Sequence, residues 1–246
     1  MLPRFYAPDL DPNHDIVTLS PDEAHHLTRV LRLGPGAEVS VFDGRGTEFR
    51  ARVEDAVRDS VSLRLLERVF PPPSLAVRTV VVQAVLKGDS MDDAIRDATM
   101  MGAEAIEPVI TAHTDVKASF IKRPETLDRW RRVALAAVKQ CRRATLPEVE
   151  PPREFSEWLA SPSGAMKLIF VEPTAKVAVT TLKAALEYHV PTRAEVLLGP
   201  EGGWSQEELE AAIAIGCVPV TLGPLTLRAE SMPVAALAAL AAVWQV

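Results

Sequence analysis

Val196-Leu197-Leu198-Gly199-Pro200-Glu201-Gly202-Gly203-Trp204 and, a little further on, Val220-Thr221-Leu222-Gly223-Pro224-Leu225-Thr226-Leu227-Arg228-Ala229-Glu230-Ser231 are the stretches that decide the fold. Each reads as an apolar strand that runs into a glycine-centred loop and then into a helix. Burial in a sheet explains Leu197 and Val220. It does not explain glycines, an arginine and two glutamates at the strand ends. In open α/β sheets a ligand sits outside the carboxyl ends of the strands, so two such loops point to one cofactor pocket.

Working back from these loops, the same alternation repeats. Thr79–Leu86 is a continuous apolar run, as expected for a strand covered on both faces. Ile106–Ile110, Lys167–Val171, Glu195–Leu198 and Val218–Leu222 read as further strands. Helices are predicted between them. One is opened by Ser90-Met91-Asp92-Asp93 as a capping box and closes at Gly102. Others cover Pro124–Arg143 and the region near Val177–Tyr188. A fourth, capped by Ser205-Gln206-Glu207-Glu208, ends at Gly216, and the last covers Val234–Gln245. Alternating strands and helices predict an α/β fold, a parallel sheet sandwiched by helices.

The first seventy residues differ. Ala37–Phe42, Thr47–Val57 and Ser60–Val69 read as strands, with Asp43-Gly44-Arg45-Gly46 and Arg58-Asp59 as turns. A helix opened by Ser20 is expected over Pro21–Leu31. Pro71-Pro72-Pro73 is a stiff spacer, which places a small β-rich domain at 1–72 and the α/β domain at 73–246.

The chain has 246 residues, 48% of them hydrophobic, which is ample for a buried core. It has no long apolar run and no leader-like start, which predicts a soluble, unprocessed cytoplasmic protein with no membrane partner. Cys141 and Cys217 have no motif spacing, and the scattered histidines argue against a metal site. The net charge of −6 at first disfavours nucleic acid. Residues 117–143, however, hold nine basic residues against Glu125 and Asp128, seven net positive charges that leave −13 on the rest. A basic stripe on an acidic body is a footprint for a polyanion. A solvated helix face is the competing reading.

The cofactor is narrowed by what is missing. The first α/β strand ends Leu86-Lys87-Gly88-Asp89, not in the dinucleotide fingerprint, and no P-loop is present. Glu201 is a poor neighbour for phosphate. A cofactor with an adenine to bury, a ribose and a cationic centre fits better, and S-adenosylmethionine is one such molecule.

The stretch Leu198-Gly199-Pro200-Glu201-Gly202-Gly203-Trp204-Ser205, followed by Leu222-Gly223-Pro224-Leu225-Thr226-Leu227-Arg228-Ala229-Glu230-Ser231, resembles the RsmE family of bacterial 16S ribosomal RNA uridine-N3 methyltransferases. Arg4-Phe5-Tyr6, His25–Arg32, Lys87-Gly88-Asp89, Gln140-Cys141 and Arg143 extend the resemblance over almost the whole chain. It implies a PUA-like β-barrel that binds RNA, then a SPOUT-type domain whose C-terminal part, about 195–246, is threaded into a trefoil knot. It further implies an S-adenosylmethionine site, a homodimer, and 16S rRNA or the small ribosomal subunit as partner. The chain departs from the family in having Ser231-Met232 where Thr-Ala is common, and Lys139 where glutamate is usual.

On that footing Leu198, Gly199, Pro200, Glu201, Gly203, Leu222, Gly223, Leu225 and Leu227 are expected at the cofactor. Methylating N3 of uridine removes a weakly acidic proton and spreads charge onto O2 or O4. Arg228 is assigned to that charge and Glu230 to the proton, with Glu201 as the second candidate base. The competing reading pairs Glu230 with Arg228 and makes Glu201 a loop brace. Arg4, Arg32, Arg142 and Arg143 are expected to contact RNA, or else to be solvated surface. A non-catalytic RNA-binding assembly factor on the same fold is the alternative function.

Overall fold

The structure is a computed structural model that describes residues 2–57, 60–73, 75–161, 163–186 and 190–244. The expected turn at Arg58-Asp59, Tyr188 and Gln245 lie outside the described residues. Contacts divide the chain into two compact units, residues 1–73 with 138–146 and residues 74–137 with 147–246.

The first unit carries β1 (Arg4–Tyr6), β2 (Ile16–Thr18), α1 (Pro21–His25), β3 (Glu38–Phe42), β4 (Glu48–Val57) and β5 (Ser60–Val69). The strands form one sheet in the order β1-β3-β4-β5-β2, parallel only between β1 and β3. Period-two alternation puts Val61 and Leu63 of β5 into a core with Phe5, Val17, Leu27, Val39, Val41 and Val53. Ser20 caps α1 by accepting the Glu23 N–H. The helix expected to run to Leu31 is α-helical only to His25. It widens into a π turn over His26–Val30, and Arg32 then takes φ +54°.

The second unit carries β6 (Arg78–Ala84), α2 (Asp89–Met100), β7 (Ala105–Ile110), α3 (Ala118–Ile121), β8 (Glu148–Val149) and β9 (Arg153–Glu154). It continues with α5 (Phe155–Leu159), β10 (Met166–Phe170), β11 (Thr180–Thr181), α6 (Leu182–Leu186), β12 (Arg193–Leu198), α7 (Gln206–Ala214), β13 (Val218–Thr221) and α8 (Met232–Trp244). The helix α4 (Pro124–Cys141) precedes β8, and its last turn counts with the first unit. Every strand pairing in this sheet is parallel, in the order β11-β13-β10-β12-β6-β7-β8, with β9 also on β7.

Continuous apolar strands such as Val80-Val81-Val82 are buried on both faces, as a covered parallel sheet requires. In this unit the structure departs from the sequence reading in two helices. Ser90 does not cap α2: the N-cap is Gly88, at φ +57° and ψ −132°, a conformation open to glycine and costly for other residues. The helix expected near Val177–Tyr188 begins only at Leu182, as α6, because Thr180-Thr181 first pairs with β13 as a short strand.

Candidate functional site

The carboxyl ends of β10, β12 and β13 lie side by side, since β10 pairs with both of the others. The loops leaving them enclose a cavity of about 730 Å³, within the range of small-molecule sites. Gly199, Pro200, Glu201 and Gly203 line it from the first glycine loop, and Leu222, Leu225, Leu227, Arg228 and Glu230 from the second. Two expected cofactor residues are not in its wall. Leu198 is fully buried in the sheet, and Gly223, at φ +142°, is not among the lining residues.

Local chemistry shapes the first loop. The Trp204 indole donates to the Phe170 carbonyl at 3.1 Å and lies against Gly199, where a Cβ would come within 3.0 Å of its Nε1. Trp204 also packs on Phe155, ring centroids 4.9 Å apart. Gly203 takes φ +68°, and Ser205 then opens α7 with a capping box: its hydroxyl accepts the Glu208 N–H at 3.2 Å while Glu208 Oε2 accepts the Ser205 N–H at 3.0 Å. In the second loop the Thr221 hydroxyl donates to the Gly223 carbonyl at 3.1 Å.

The charged groups differ in their freedom. Glu201 Oε1 accepts the Lys87 backbone N–H at 2.9 Å, so this carboxylate braces the loop. Arg228 is 87% exposed and lies 3.7 Å from Glu230, which is 23% exposed. Sequence reasoning missed Glu172, Lys176, Ser90, Thr226 and Met232, all of which line the cavity. The signal was present. Val171-Glu172-Pro173 ends the third α/β strand, and the carboxyl-end rule applied there would have found it. The wall therefore joins leucines and Met232 to three carboxylates and two cations. That donor set suits an apolar ring attached to a ribose and a cationic centre better than a polyphosphate.

The four arginines assigned to RNA fall into two groups. Arg32 and Arg142 are exposed, and both are in the left-handed region, at φ +54° and +68°. Arg4 is only 7% exposed and uses every one of its N–H donors inside the first unit. Nε and Nη2 bond Glu48 at 3.0 and 2.8 Å, while Nη1 and Nη2 reach the carbonyls of Val138, Lys139 and Arg143. This corrects the expectation for Arg4: its guanidinium closes the end of α4 and has no donor left for a phosphate. Arg143 is half-buried, its Nε donates to the Thr145 hydroxyl, and burial pulls its pKa below the usual arginine range. Among the described residues no group of His, Cys, Asp and Glu could hold a metal, and no helix is long and apolar enough to cross a membrane.

Comparison with known proteins decides the family. Residues 73–241 match the RNA methyltransferase domain model, and residues 19–66 match the RNA methyltransferase PUA domain. Ribosomal RNA small subunit methyltransferase E of Synechocystis is 35% identical over 90% of this chain and 71% of its own length. The chain belongs to the ribosomal RNA small subunit methyltransferase E family. Another member, from Mycobacterium bovis, is 32% identical over 96% of this chain and 89% of its own. Among solved structures, the Neisseria gonorrhoeae member of the family bound to S-adenosyl methionine superposes with a TM-score of 0.88 at 30% identity, covering 99% and 98% of the two chains. A Legionella pneumophila methyltransferase in complex with the same cofactor gives a TM-score of 0.90 at 27% identity, covering 98% of each chain. The α/β fold with its parallel sheet and an N-terminal PUA-like domain is thus the architecture of the family.

Proposed function

We propose that this protein methylates N3 of a uridine in 16S ribosomal RNA with S-adenosylmethionine as donor. The observation that carries the reading is the cavity at the joined carboxyl ends of β10, β12 and β13, walled by both glycine loops, in a chain of this family. Bound there, the cofactor supplies an electrophilic methyl group. The protein's own part is to hold that methyl and the uridine in near-attack geometry, which accounts for much of such a rate gain.

Leu222, Leu225 and Leu227 take the adenine, and the backbone of Gly199, Pro200 and Gly203 takes the ribose side. Leu198 ends the strand from which the first loop leaves, and Gly223 turns the second loop. Glu201 holds the first loop through Lys87. Arg228, exposed at the cavity mouth, stabilises the charge that develops on the uridine oxygens. Glu230 accepts the N3 proton, and it lies 3.7 Å from the Arg228 guanidinium. Arg32 and Arg142 contact the RNA backbone.

The first 72 residues recognise RNA through the PUA-like fold, and residues 73–246 carry the transfer. In this reading the stretch from about 195 to 246 is threaded as a trefoil knot, the enzyme works as a homodimer, and it acts in the cytoplasm on small-subunit particles. Incubation with labelled methyl donor and unmodified small-subunit particles, followed by mass mapping of the product, tests the reaction. A label on any base position other than uridine N3 overturns it.

A further inference from the structure

The loop that carries Gly199, Gly202 and Gly203 is braced through Glu201 to the Lys87 N–H and through Trp204 to the Phe170 carbonyl, and within it the Gly203 N–H donates to the Pro200 carbonyl at 2.9 Å. Its Gly202-Gly203 end remains the least restricted part, because glycine restricts the backbone least. The turn after β7 adds two contacts at that end. Glu208 Oε1 accepts the Ala112 N–H at 2.8 Å, and His113 Nδ1 lies 3.0 Å from the Gly202 carbonyl oxygen and 3.1 Å from that of Gly203. Both neighbours of Nδ1 are acceptors, so this nitrogen carries the proton and donates to them. Consecutive carbonyls of an extended chain point to opposite sides. Here both meet one N–H because Gly203 adopts φ +68°.

Close packing reinforces the contact. A Cβ on Gly202 would lie 3.0 Å from His113 Cβ, so any larger residue there would have to displace the His113 side chain by a few tenths of an ångström. The turn bearing His113 is itself fixed, since the Thr114 hydroxyl accepts the Thr111 N–H at 3.0 Å. Gly202 and Gly203 both line the cavity, whereas His113 does not.

We infer that His113 is a positioning residue for the methyl-donor site: its Nδ1–H ties the Gly202 and Gly203 carbonyls and so sets the shape of the loop wall that receives the cofactor. The inference rests on the methyl-donor reading given above. It assigns His113 no contact with the reacting atoms.

Calorimetric titration of the full chain with S-adenosylmethionine tests it, comparing the wild type with His113→Asn, His113→Gln and His113→Ala. Asparagine puts an amide N–H near the place of Nδ1, whereas glutamine carries its amide too far out. His113→Ala and His113→Gln should bind about fivefold to tenfold more weakly, and His113→Asn within about twofold of wild type, as expected for one exposed hydrogen-bond donor. At saturating cofactor the turnover number should change less than the affinity in all three. An alanine variant that binds like wild type overturns the inference, as does an asparagine variant that falls as far as alanine. Absence of binding by the wild type overturns the methyl-donor reading itself, and this inference with it.

Discussion

Two arginines that look alike in the sequence do opposite things. Arg4 is locked by Glu48 and three carbonyls, and Glu48 also takes the Ser40 hydroxyl at 2.5 Å. Removing the guanidinium leaves a buried carboxylate unpaired, so Arg4→Ala should cost about 3–5 kcal/mol in a urea melt. Arg4→Lys should not restore it, because an ammonium cannot reproduce the fork. Loss of RNA affinity at unchanged stability would contradict this assignment. Arg228 is the reverse case. At 87% exposure its pair with Glu230 contributes little to folding, so Arg228→Ala should shift stability by less than about 0.5 kcal/mol. Turnover should fall far more than cofactor affinity, and an equal loss in both would make Arg228 a binding residue. Cys217 offers a third test. Burial pushes its thiol up to about 12 from an ordinary value of 9.0. A folded pKa above the unfolded one stabilises the fold fully below pH 9.0, and the contribution is lost as pH rises towards 12. At pH 8 a maleimide should therefore leave Cys217 unlabelled in the native chain and label it on unfolding; native labelling would mean the site opens.

At the scale of elements, the fold is legible in the sequence where the signal is local. Ser205 and Glu208 form the reciprocal cap their spacing implies, and the glycine loops follow apolar strands as written. Ser90-Met91-Asp92-Asp93 carries much the same pattern and caps nothing, because Gly88 is already the N-cap of α2, two residues earlier. A local motif could not show that the chain leaves β6 in a glycine-only conformation. The close fit of Gly199 to Trp204 was equally invisible, since the partners meet only when the loop folds back over β10. Gly199→Ala should force the indole off the Phe170 carbonyl. Overpacking of this kind costs about 1–3 kcal/mol. Thermal melts and cofactor titration should both register it, and a variant unchanged in both would show that the loop tolerates the side chain.

At the scale of the molecule, the basic stretch 117–143 is smaller than its formula. Lys122 pairs with Glu154, Arg129 with Asp89 and Asp92, and Lys139 with Glu23. Arg143 is half-buried. Lys117, Arg123, Arg131, Arg132 and Arg142 have no carboxylate partner among the described residues. If these five displace counterions from single-stranded RNA, log affinity should fall with log salt at a slope of about −3 to −4, against about −6 if all nine cations act. A flat response would remove the stretch from the RNA surface.

The order of residues along the chain determined the apolar runs, the caps and the two glycine loops, because those depend on neighbours a few positions apart. It also determined the family, through motifs that stand intact in the linear text. Only the tertiary structure decided that β10 lies between β12 and β13, which brings Glu172 to the same cavity as Gly199 and Arg228. It alone decided which arginines are consumed internally and that His113 holds Gly202 and Gly203. Hydrogen-bond partners separated by 89 and 139 residues are fixed by strand order and packing, and no local pattern encodes that order.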